Sequence, residues 1–140
     1  MALILNKDHF DFIKREGERS FPNECCGFML GKVYENKEVI KLLPAENERE
    51  DSEQYHRFLI TPEAYMQSDK YARANNLDII GFYHSHPNAE ARPSEYDREH
   101  GWPWYSYAIV SVKAKKAGEM TAWVLQDDRL KFIEEKIIVQ

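Results

Sequence analysis

Residues 77–97 read LDIIGFYHSHPNAEARPSEYD, and this stretch indicates a buried strand that leads into a polar site. The apolar run at its start is typical of a strand inside a sheet. Alternate side chains of a strand share a face, so we expect His84 and His86 to project together. Ser94 and Asp97 are three positions apart, as neighbours on a helical turn are. The stretch therefore predicts a strand, a proline-containing loop and a short helix around one site.

The polar residues of this stretch suit a metal. Two imidazoles and one carboxylate are the usual protein ligands of a catalytic zinc ion, and a fourth position is left for water. The histidine pair and the Ser94–Asp97 pair each also have an ordinary structural interpretation. His84 and His86 could be a hydrogen-bonded structural pair, and Ser94 with Asp97 matches a common helix start. Because both pairs occur in order after a buried strand, the combination favours a metallohydrolase site.

The same residues resemble the signature of the JAMM metalloproteases, also called MPN+ or JAB1/MPN/Mov34. That signature is H-[ST]-H, seven residues, then S-x-x-D, with a glutamate upstream. Residues 21–31, FPNECCGFMLG, contain Glu24 in a context similar to that of the small stand-alone bacterial members. Residues 91–95, ARPSE, and 101–111, GWPWYSYAIVS, resemble the same subgroup. The resemblance extends from about Asn6 to the C-terminal strand.

The resemblance implies a role for each motif residue. A zinc ion is expected on His84, His86 and Asp97, where it would lower the pKa of a bound water toward about 7. Glu24 is expected to take a proton from that water and pass it to the leaving amine. The hydroxyl of Ser94 is expected to stabilise the oxyanion of the tetrahedral intermediate. Without the resemblance, Glu24 would be interpreted as a solvent-exposed acid just before a strand.

Several other reactive residue types are assigned no chemistry. Cys25 and Cys26 are adjacent and cannot form an ordinary structural disulfide with each other, so small buried side chains are favoured over a metal or nucleophile role. Ser85 should face away from the metal and serve the structure. Three histidines lack the spacing of metal ligands and are interpreted as surface or core residues: His9, His56 and His100. Three aromatic residues after the predicted short helix are interpreted as core and packing residues, one of which could line a substrate groove: Trp102, Trp104 and Tyr105.

Length and charge narrow the class of protein. With 140 residues, 43% of them hydrophobic and 31% charged, the chain suits one globular domain over residues 1–140. The net charge is −5, from 19 basic and 24 acidic residues, and no basic patch suggests nucleic acid as a partner. The N-terminus lacks the basic and apolar regions of a signal peptide, and no stretch is long enough to span a membrane. We expect a cytoplasmic protein.

Hydrophobic patterning and turn residues predict a mixed α/β domain, with a curved sheet and a long helix on each side. The resemblance implies the cytidine-deaminase-like fold of a single JAMM domain, which has this order of elements. Strands are predicted at 2–5, 25–33, 38–43 (ended by Pro44), 57–60, 79–84, 105–112, 120–125 and 132–139. Helices are predicted at 7–19, 62–75 and 94–100, a polar loop at 45–55, and turns at 116–119 and 126–129.

The resemblance also implies a substrate. JAMM proteins of this subgroup resemble hydrolases that cleave after the C-terminal Gly-Gly of a ubiquitin-like β-grasp sulfur-carrier protein and release cysteine or a short extension. Such an extended tail could add as a strand to a sheet edge, and an exposed edge also leaves a homodimer open. The alternatives are a metal-free MPN-type binding module for ubiquitin-like tails, which the complete motif disfavours, and a general zinc peptidase. A zinc nucleoside deaminase is disfavoured because its H-x-E and P-C-x-x-C signature is absent.

Overall fold

A computed structural model describes residues 1–47 and 60–140 of the chain. Most of the loop predicted at 45–55 and of the strand predicted at 57–60 lies outside these residues, as does His56. Within the two described ranges, no helix has the length and apolar character needed to cross a membrane.

The described residues form eight strands and three helices. The strands are β1 (Leu3–Leu5), β2 (Cys26–Val33), β3 (Lys37–Ala45), β4 (Asp78–Pro87), β5 (Ser106–Lys113), β6 (Lys116–Leu125), β7 (Phe132–Glu135) and β8 (Ile137–Val139). The helices are α1 (Lys7–Ser20), α2 (Pro62–Ala74) and α3 (Glu95–His100). Each helix begins after a polar N-cap whose side chain accepts a backbone N–H from the first turn, namely Asn6, Thr61 and Ser94.

All eight strands belong to one sheet, in the order β7-β6-β5-β4-β2-β3-β1-β8. Strand β4 lies inside it, antiparallel to β2 and parallel to β5. The predicted strand 132–139 is wrong as one element, because β7 pairs with β6 at one edge and β8 pairs with β1 at the other. Only Lys136 separates the two strands, so the sheet must curve until its edges approach each other. The result is nearly a barrel.

Each face of the sheet carries its own apolar cluster. Ile13 of α1 belongs to the cluster that contains Tyr83, whereas Ala72 of α2 belongs to the cluster that contains Phe82. Phe82 and Tyr83 are neighbours on β4, and successive strand residues point to opposite faces. This confirms a long helix on each side of the sheet. It also places His84 on the α2 side of β4 and Ser85 on the α1 side.

A buried polar cluster ties β3, β5 and β7 together where the sheet closes. Lys37 donates hydrogen bonds to the hydroxyl of Ser106, at 3.0 Å, and to the backbone carbonyl of Trp104. Ser106 in turn donates to a carboxylate oxygen of Glu135 at 2.6 Å. Burial lowers the pKa of Lys37, and the charge of Glu135 opposes that shift. Buried charges of this kind are tolerated because each has hydrogen-bonding partners.

Strand β3 continues through the proline that was predicted to end it. Pro44 pairs with Gly27 of β2, while β1, the other neighbour of β3, pairs only with Lys37 and Glu38. Proline cannot donate to a ladder, but it is accepted where one side of the strand is unpaired. The strand was predicted to end at Leu43, before Pro44, but it ends at Ala45, so the predicted end was wrong by two residues.

The β5–β6 hairpin is tighter than predicted. Lys113 pairs with Lys116, so only Ala114 and Lys115 form its loop, and both have positive φ angles, of 49° and 68°. Two consecutive positive φ angles are the requirement of the type I′ turn, a common two-residue hairpin turn. The predicted turn at 116–119 is instead the start of β6, because the chain reverses without the glycine or asparagine that usually marks such a turn.

Candidate active site

Three polar side chains converge where β4 ends and α3 begins. The Nε2 atoms of His84 and His86 lie 3.1 Å apart. The Oδ2 atom of Asp97 lies 3.2 Å from the Nε2 of His86 and 3.4 Å from that of His84. Ligands about 2.0–2.1 Å from a tetrahedral metal are roughly 3.3 Å from one another. The three atoms therefore have the spacing of three corners of a tetrahedral site, and we call them the ligand triangle.

The carboxylate of Asp97 is held in place by the start of its own helix. Its Oδ2 atom accepts a hydrogen bond from the backbone N–H of Ser94 at 2.8 Å. The hydroxyl oxygen of Ser94 accepts the backbone N–H of Asp97 at 3.1 Å, which completes a capping box. The helix-cap interpretation of these residues is thus confirmed, and the capping carboxylate also lies beside the two histidines. Because the Ser94 hydroxyl accepts in this bond, its hydrogen can be donated to another group.

A second hydrogen bond orients the ring of His86. Its Nδ1 atom lies 3.0 Å from the backbone carbonyl of Glu90. A carbonyl only accepts, so Nδ1 carries a hydrogen, and in the neutral ring the lone pair of Nε2 points into the ligand triangle. Carbonyl groups behind a histidine fix the tautomer of metal ligands in this way.

The charges in the triangle favour a cation. Burial lowers the pKa of His84 despite the nearby charge of Asp97, so this ring is neutral at neutral pH. Burial also lowers the pKa of His86, but the hydrogen bond and charge of Asp97 outweigh it and raise the pKa overall. Burial would raise the pKa of Asp97, yet the two histidines outweigh that effect and hold it well below its usual range. A carboxylate and a neutral imidazole can bind a metal ion. Asp97 and His84 already have these forms, whereas a protonated His86 must first lose its proton.

Glu24 lies beside the triangle although it is 60 residues from His84 in the sequence. Its side chain is buried, with 6% exposure, which excludes the interpretation as a solvent-exposed acid. One of its carboxylate oxygens and a ring nitrogen of each histidine lie within 4.8 Å of one another, so this group too could hold a metal ion. The triangle that includes Asp97 is tighter, and we take it as the better ligand set.

The strand that carries the two histidines also contacts the chain next to Glu24. The hydroxyl of Ser85 accepts the backbone N–H of Cys25 at 2.8 Å, and the Ser85 N–H donates to the Cys25 carbonyl at 3.2 Å. This confirms that Ser85 has a structural role. The side chain of Asn47 donates to the Glu24 carbonyl at 3.3 Å. Nothing in the sequence around Asn47 pointed to this contact.

Both cysteines are buried free thiols, as predicted. Burial raises the pKa of Cys25 to about 12, although a hydrogen bond with Ser85 opposes the shift. A thiol with such a pKa is protonated at neutral pH and is neither a nucleophile nor a ready metal ligand. Cys26 lies on β2, with its sulfur 3.8 Å from the carbonyl of Ala45. Burial therefore makes Cys25 unsuited to a nucleophile or metal-ligand role.

A cavity of about 660 Å³ opens beside the ligand triangle, and His84 and Asp97 form part of its wall. Trp102 and Tyr105 line it. Trp102 is 63% exposed and Trp104 is 49% exposed, so the core position predicted for these two tryptophans is wrong. They follow α3 at the protein surface rather than entering the core. The rest of the wall mixes aromatic with aliphatic and small residues. It includes three residues that the sequence did not assign to the site: Tyr65, Phe82 and His100.

Comparison with known proteins identifies the family. The family model for prokaryotic homologs of the JAB domain matches residues 6–126. The chain belongs to this family. The match begins where the resemblance in the sequence begins, at Asn6, and includes the ligand triangle and Glu24.

Among curated relatives, the chain is similar to two desampylases. It is 30% identical to that of Pyrococcus furiosus over 119 residues, which are 84% of this chain and 76% of the relative. It is 33% identical to that of Haloferax volcanii over 102 residues, which are 72% of this chain and 68% of the relative. The JAB family and these relatives make the protein a JAMM-type hydrolase.

Solved structures have the same fold. A protein from Desulfitobacterium hafniense matches with a TM-score of 0.85 at 26% identity, over 99% of this chain and 93% of that one. A protein from Salinibacter ruber matches with a TM-score of 0.75 at 36% identity, over 100% and 92%. A JAB1/MPN domain protein from Archaeoglobus fulgidus, 15% identical, matches with a TM-score of 0.56 over 99% of both chains. The predicted α/β JAMM fold is therefore confirmed.

Proposed function

We propose that this JAMM-type hydrolase binds zinc through His84, His86 and Asp97 and cleaves the bond after the C-terminal Gly-Gly of a ubiquitin-like β-grasp sulfur-carrier protein. The products would be the carrier and a cysteine or short C-terminal extension. The observation that carries the proposal is the ligand triangle, with its tetrahedral spacing, beside the buried Glu24. Relatives that are desampylases support a ubiquitin-like partner, and the sequence motif supports the sulfur carrier.

The donor atoms fit zinc. Two imidazole nitrogens and one carboxylate oxygen are a common ligand set for catalytic zinc, and the approximate edge lengths of the triangle suit its bond lengths. When bound, zinc supplies Lewis acidity, which activates water and polarises the scissile carbonyl. The chain contributes the orientation: Glu90 holds the ring of His86, and Ser94 holds the carboxylate of Asp97.

Glu24 and Ser94 have separate roles, since Glu24 transfers protons and Ser94 stabilises negative charge. The carboxylate of Glu24 takes a proton from the attacking water and later delivers it to the nitrogen of the leaving amine, so the proton count balances. The hydroxyl of Ser94 donates its hydrogen to the oxygen that becomes negative in the tetrahedral intermediate. Both groups lie next to the ligand triangle, Glu24 from the entry to β2 and Ser94 from the cap of α3.

The cavity supports binding of a peptide tail. Strand β4 is paired on both sides, so a tail cannot add to it as a strand, and the edges of the described sheet are β7 and β8. The aromatic cavity instead starts at His84 and Asp97 and offers room for apolar side chains of the tail. A single domain over residues 1–140, a cytoplasmic location, a homodimer and the absence of a nucleic-acid partner stay predictions.

The decisive experiment is intact-mass analysis of sulfur-carrier proteins from the same genome, each extended by cysteine or a dipeptide after Gly-Gly. Each is incubated with zinc-loaded wild type, with Glu24→Gln and with a control, Glu90→Gln, which changes an exposed acid but keeps the carbonyl behind His86. We expect wild type and control to remove the extension. We expect Glu24→Gln to keep zinc but lose about 10²–10⁴-fold in kcat.

Each of the other outcomes would overturn one part of the proposal. Zinc-loaded, folded wild type that cleaves no carrier would overturn the proposed substrate, and equal cleavage of unrelated peptides would establish a general peptidase. Purified protein that binds no zinc would support the binding module instead. Normal hydrolysis by Glu24→Gln would remove the acid/base role from Glu24.

A further inference from the structure

We propose that Ser85 is a positioning residue that acts through Glu24. Together with Asn47, it fixes the peptide unit between Glu24 and Cys25 and so directs the Glu24 carboxylate toward the ligand triangle. The inference rests on the acid/base role proposed above for Glu24.

Two side chains hold the two polar atoms of one peptide unit. The carbonyl oxygen of that unit belongs to Glu24 and accepts a hydrogen bond from Asn47 at 3.3 Å. Its N–H belongs to Cys25 and donates to the hydroxyl of Ser85 at 2.8 Å. Because a peptide unit is planar and rigid, fixing both atoms fixes its orientation. The orientation of this plane sets the direction of the chain at the Cα of Glu24.

The contact with Ser85 replaces a bond of the regular sheet. Cys26 pairs with His84, so Cys25 would face Ser85 as the next antiparallel pair. In a regular hydrogen-bonded pair the two residues exchange both backbone bonds. Here the Ser85 N–H donates to the Cys25 carbonyl, but the Cys25 N–H goes to the Ser85 side chain. The chain therefore leaves the ladder at Cys25, one residue after Glu24.

One strand thus serves the site from both of its faces. His84 and His86 point to the face that carries the ligand triangle, and Ser85 between them points toward α1. Ser85 has no exposed surface, so bulk solvent does not reach its hydroxyl. Without it, the Cys25 N–H must find a new partner by moving the backbone, because an unsatisfied buried donor is costly. Glu24 would move with it.

The test is a double-mutant cycle on turnover. We expect Ser85→Ala to lower kcat about 10- to 100-fold while KM and zinc content stay unchanged, because a displacement near 1 Å is enough for such a loss. In a Glu24→Gln background, Ser85→Ala should lower kcat no further, since the group through which it acts is gone. A general structural defect would instead lower the activity of both backgrounds by the same factor.

Two further variants complete the experiment. Ser106→Ala removes another fully buried serine hydroxyl of the sheet, bonded to Lys37 and Glu135, and should lower stability without lowering kcat. Asn47→Leu removes the other half of the contact from a half-buried position, and its loss in kcat should also vanish in the Glu24→Gln background. If Ser85→Ala does not fold, the cycle with Asn47→Leu decides.

The outcomes separate this inference from the proposed function. Wild-type protein without turnover in the carrier assay would overturn the proposed function and this inference with it. Active wild type with an unaffected Ser85→Ala variant, or with an equal loss in both backgrounds, would overturn the role of Ser85 alone.

Discussion

The Oδ2 atom of Asp97 accepts the backbone N–H of Ser94 at 2.8 Å and at the same time faces both histidines of the ligand triangle. A single carboxylate oxygen therefore caps a helix and completes the candidate metal site. The start of α3 and the geometry of the site consequently depend on the same carboxylate. A change that disturbs the cap must also disturb the site, and the two effects can be separated only by choosing substitutions that keep one of them.

Asp97→Asn is such a substitution. The asparagine oxygen can still accept the Ser94 N–H, but the negative charge that attracts a cation is lost. We expect zinc affinity to fall at least about 100-fold. Loss of a residue that only hydrogen-bonds to a metal ligand already lowers metal affinity about 10- to 100-fold, and loss of a ligand's charge should cost more. Zinc titration by calorimetry would measure it. Glu95→Gln, an exposed acid in the same helical turn, is the control and should bind zinc normally. Full zinc affinity in Asp97→Asn would remove Asp97 from the ligand set.

Ser94→Ala tests the oxyanion role. Loss of the cap should lower the free energy of unfolding by about 1 kcal/mol. Loss of the donated hydrogen bond should lower kcat about 10²–10³-fold. The control is Asn6→Ala, which removes the cap of α1, where Asn6 accepts the N–H of His9 at 2.7 Å. It should lose similar stability in urea unfolding and keep wild-type turnover. If both variants turn over normally, Ser94 only caps the helix.

Local spacing explains why much of the site could be predicted. His84 and His86 share a face because strand side chains alternate, and Ser94 and Asp97 meet because a capping box joins positions three apart. Neither relationship depends on the rest of the fold. The burial of Glu24, in contrast, depends on pairing between β2 and β4, which are far apart in the sequence. The residues alone suggested an exposed acid, and only the family motif corrected this.

Three features that depend on how the strands pair had no signal in the local sequence. The pattern of residues 132–139 is that of one strand, and its division at Lys136 follows from the approach of the two sheet edges. The hairpin at Ala114 and Lys115 lacks the usual turn residues. Asn47 reaches the Glu24 carbonyl only because β3 lies beside β2. Each depends on tertiary pairing, which short-range patterns do not contain.

Metal binding should release a proton near neutral pH. The pKa of His86 is raised above 6.5 in the metal-free site, so its ring is substantially protonated at pH 6.5, whereas a metal ligand must be neutral. Proton release should therefore be largest below the raised pKa and decline as the pH rises through it. Zinc titrations in buffers with different ionisation enthalpies would measure it. Asp97→Asn, which removes the charge that raises this pKa, should release fewer protons. Identical heats in all buffers at pH 6.5 would contradict the shift.

The same pKa shifts predict how the stability of the metal-free protein depends on pH. The raised pKa of His86 contributes stability that is present below about 6.5 and is lost as the pH rises through the folded-state value. The lowered pKa of Asp97 contributes stability that is present above about 3.9 and is lost as the pH falls through its folded-state value. Urea unfolding of metal-free wild type and His86→Gln across pH 5–9 would test the first part. We expect the two stability curves to converge as the pH rises, and a constant difference would contradict the prediction.

Gly81 should be intolerant of any side chain, because β4 approaches β5 closely there. A Cβ at this position would lie 2.1 Å from the carbonyl oxygen of Ser106 and 2.8 Å from the side chain of Met29. The backbone would have to separate, so we expect Gly81→Ala to lower the free energy of unfolding by more than about 3 kcal/mol. Gly118 is the control, since a Cβ there would meet one atom of the described residues within 4 Å, the carbonyl oxygen of Ser111 at 3.9 Å. Gly118→Ala should change stability by less than about 0.5 kcal/mol. Urea unfolding would compare them, and equal midpoints would show that the two strands are not as close at Gly81 as the structure places them. Because Gly81 precedes His84 on the same strand, a folded Gly81→Ala variant should also bind zinc less tightly.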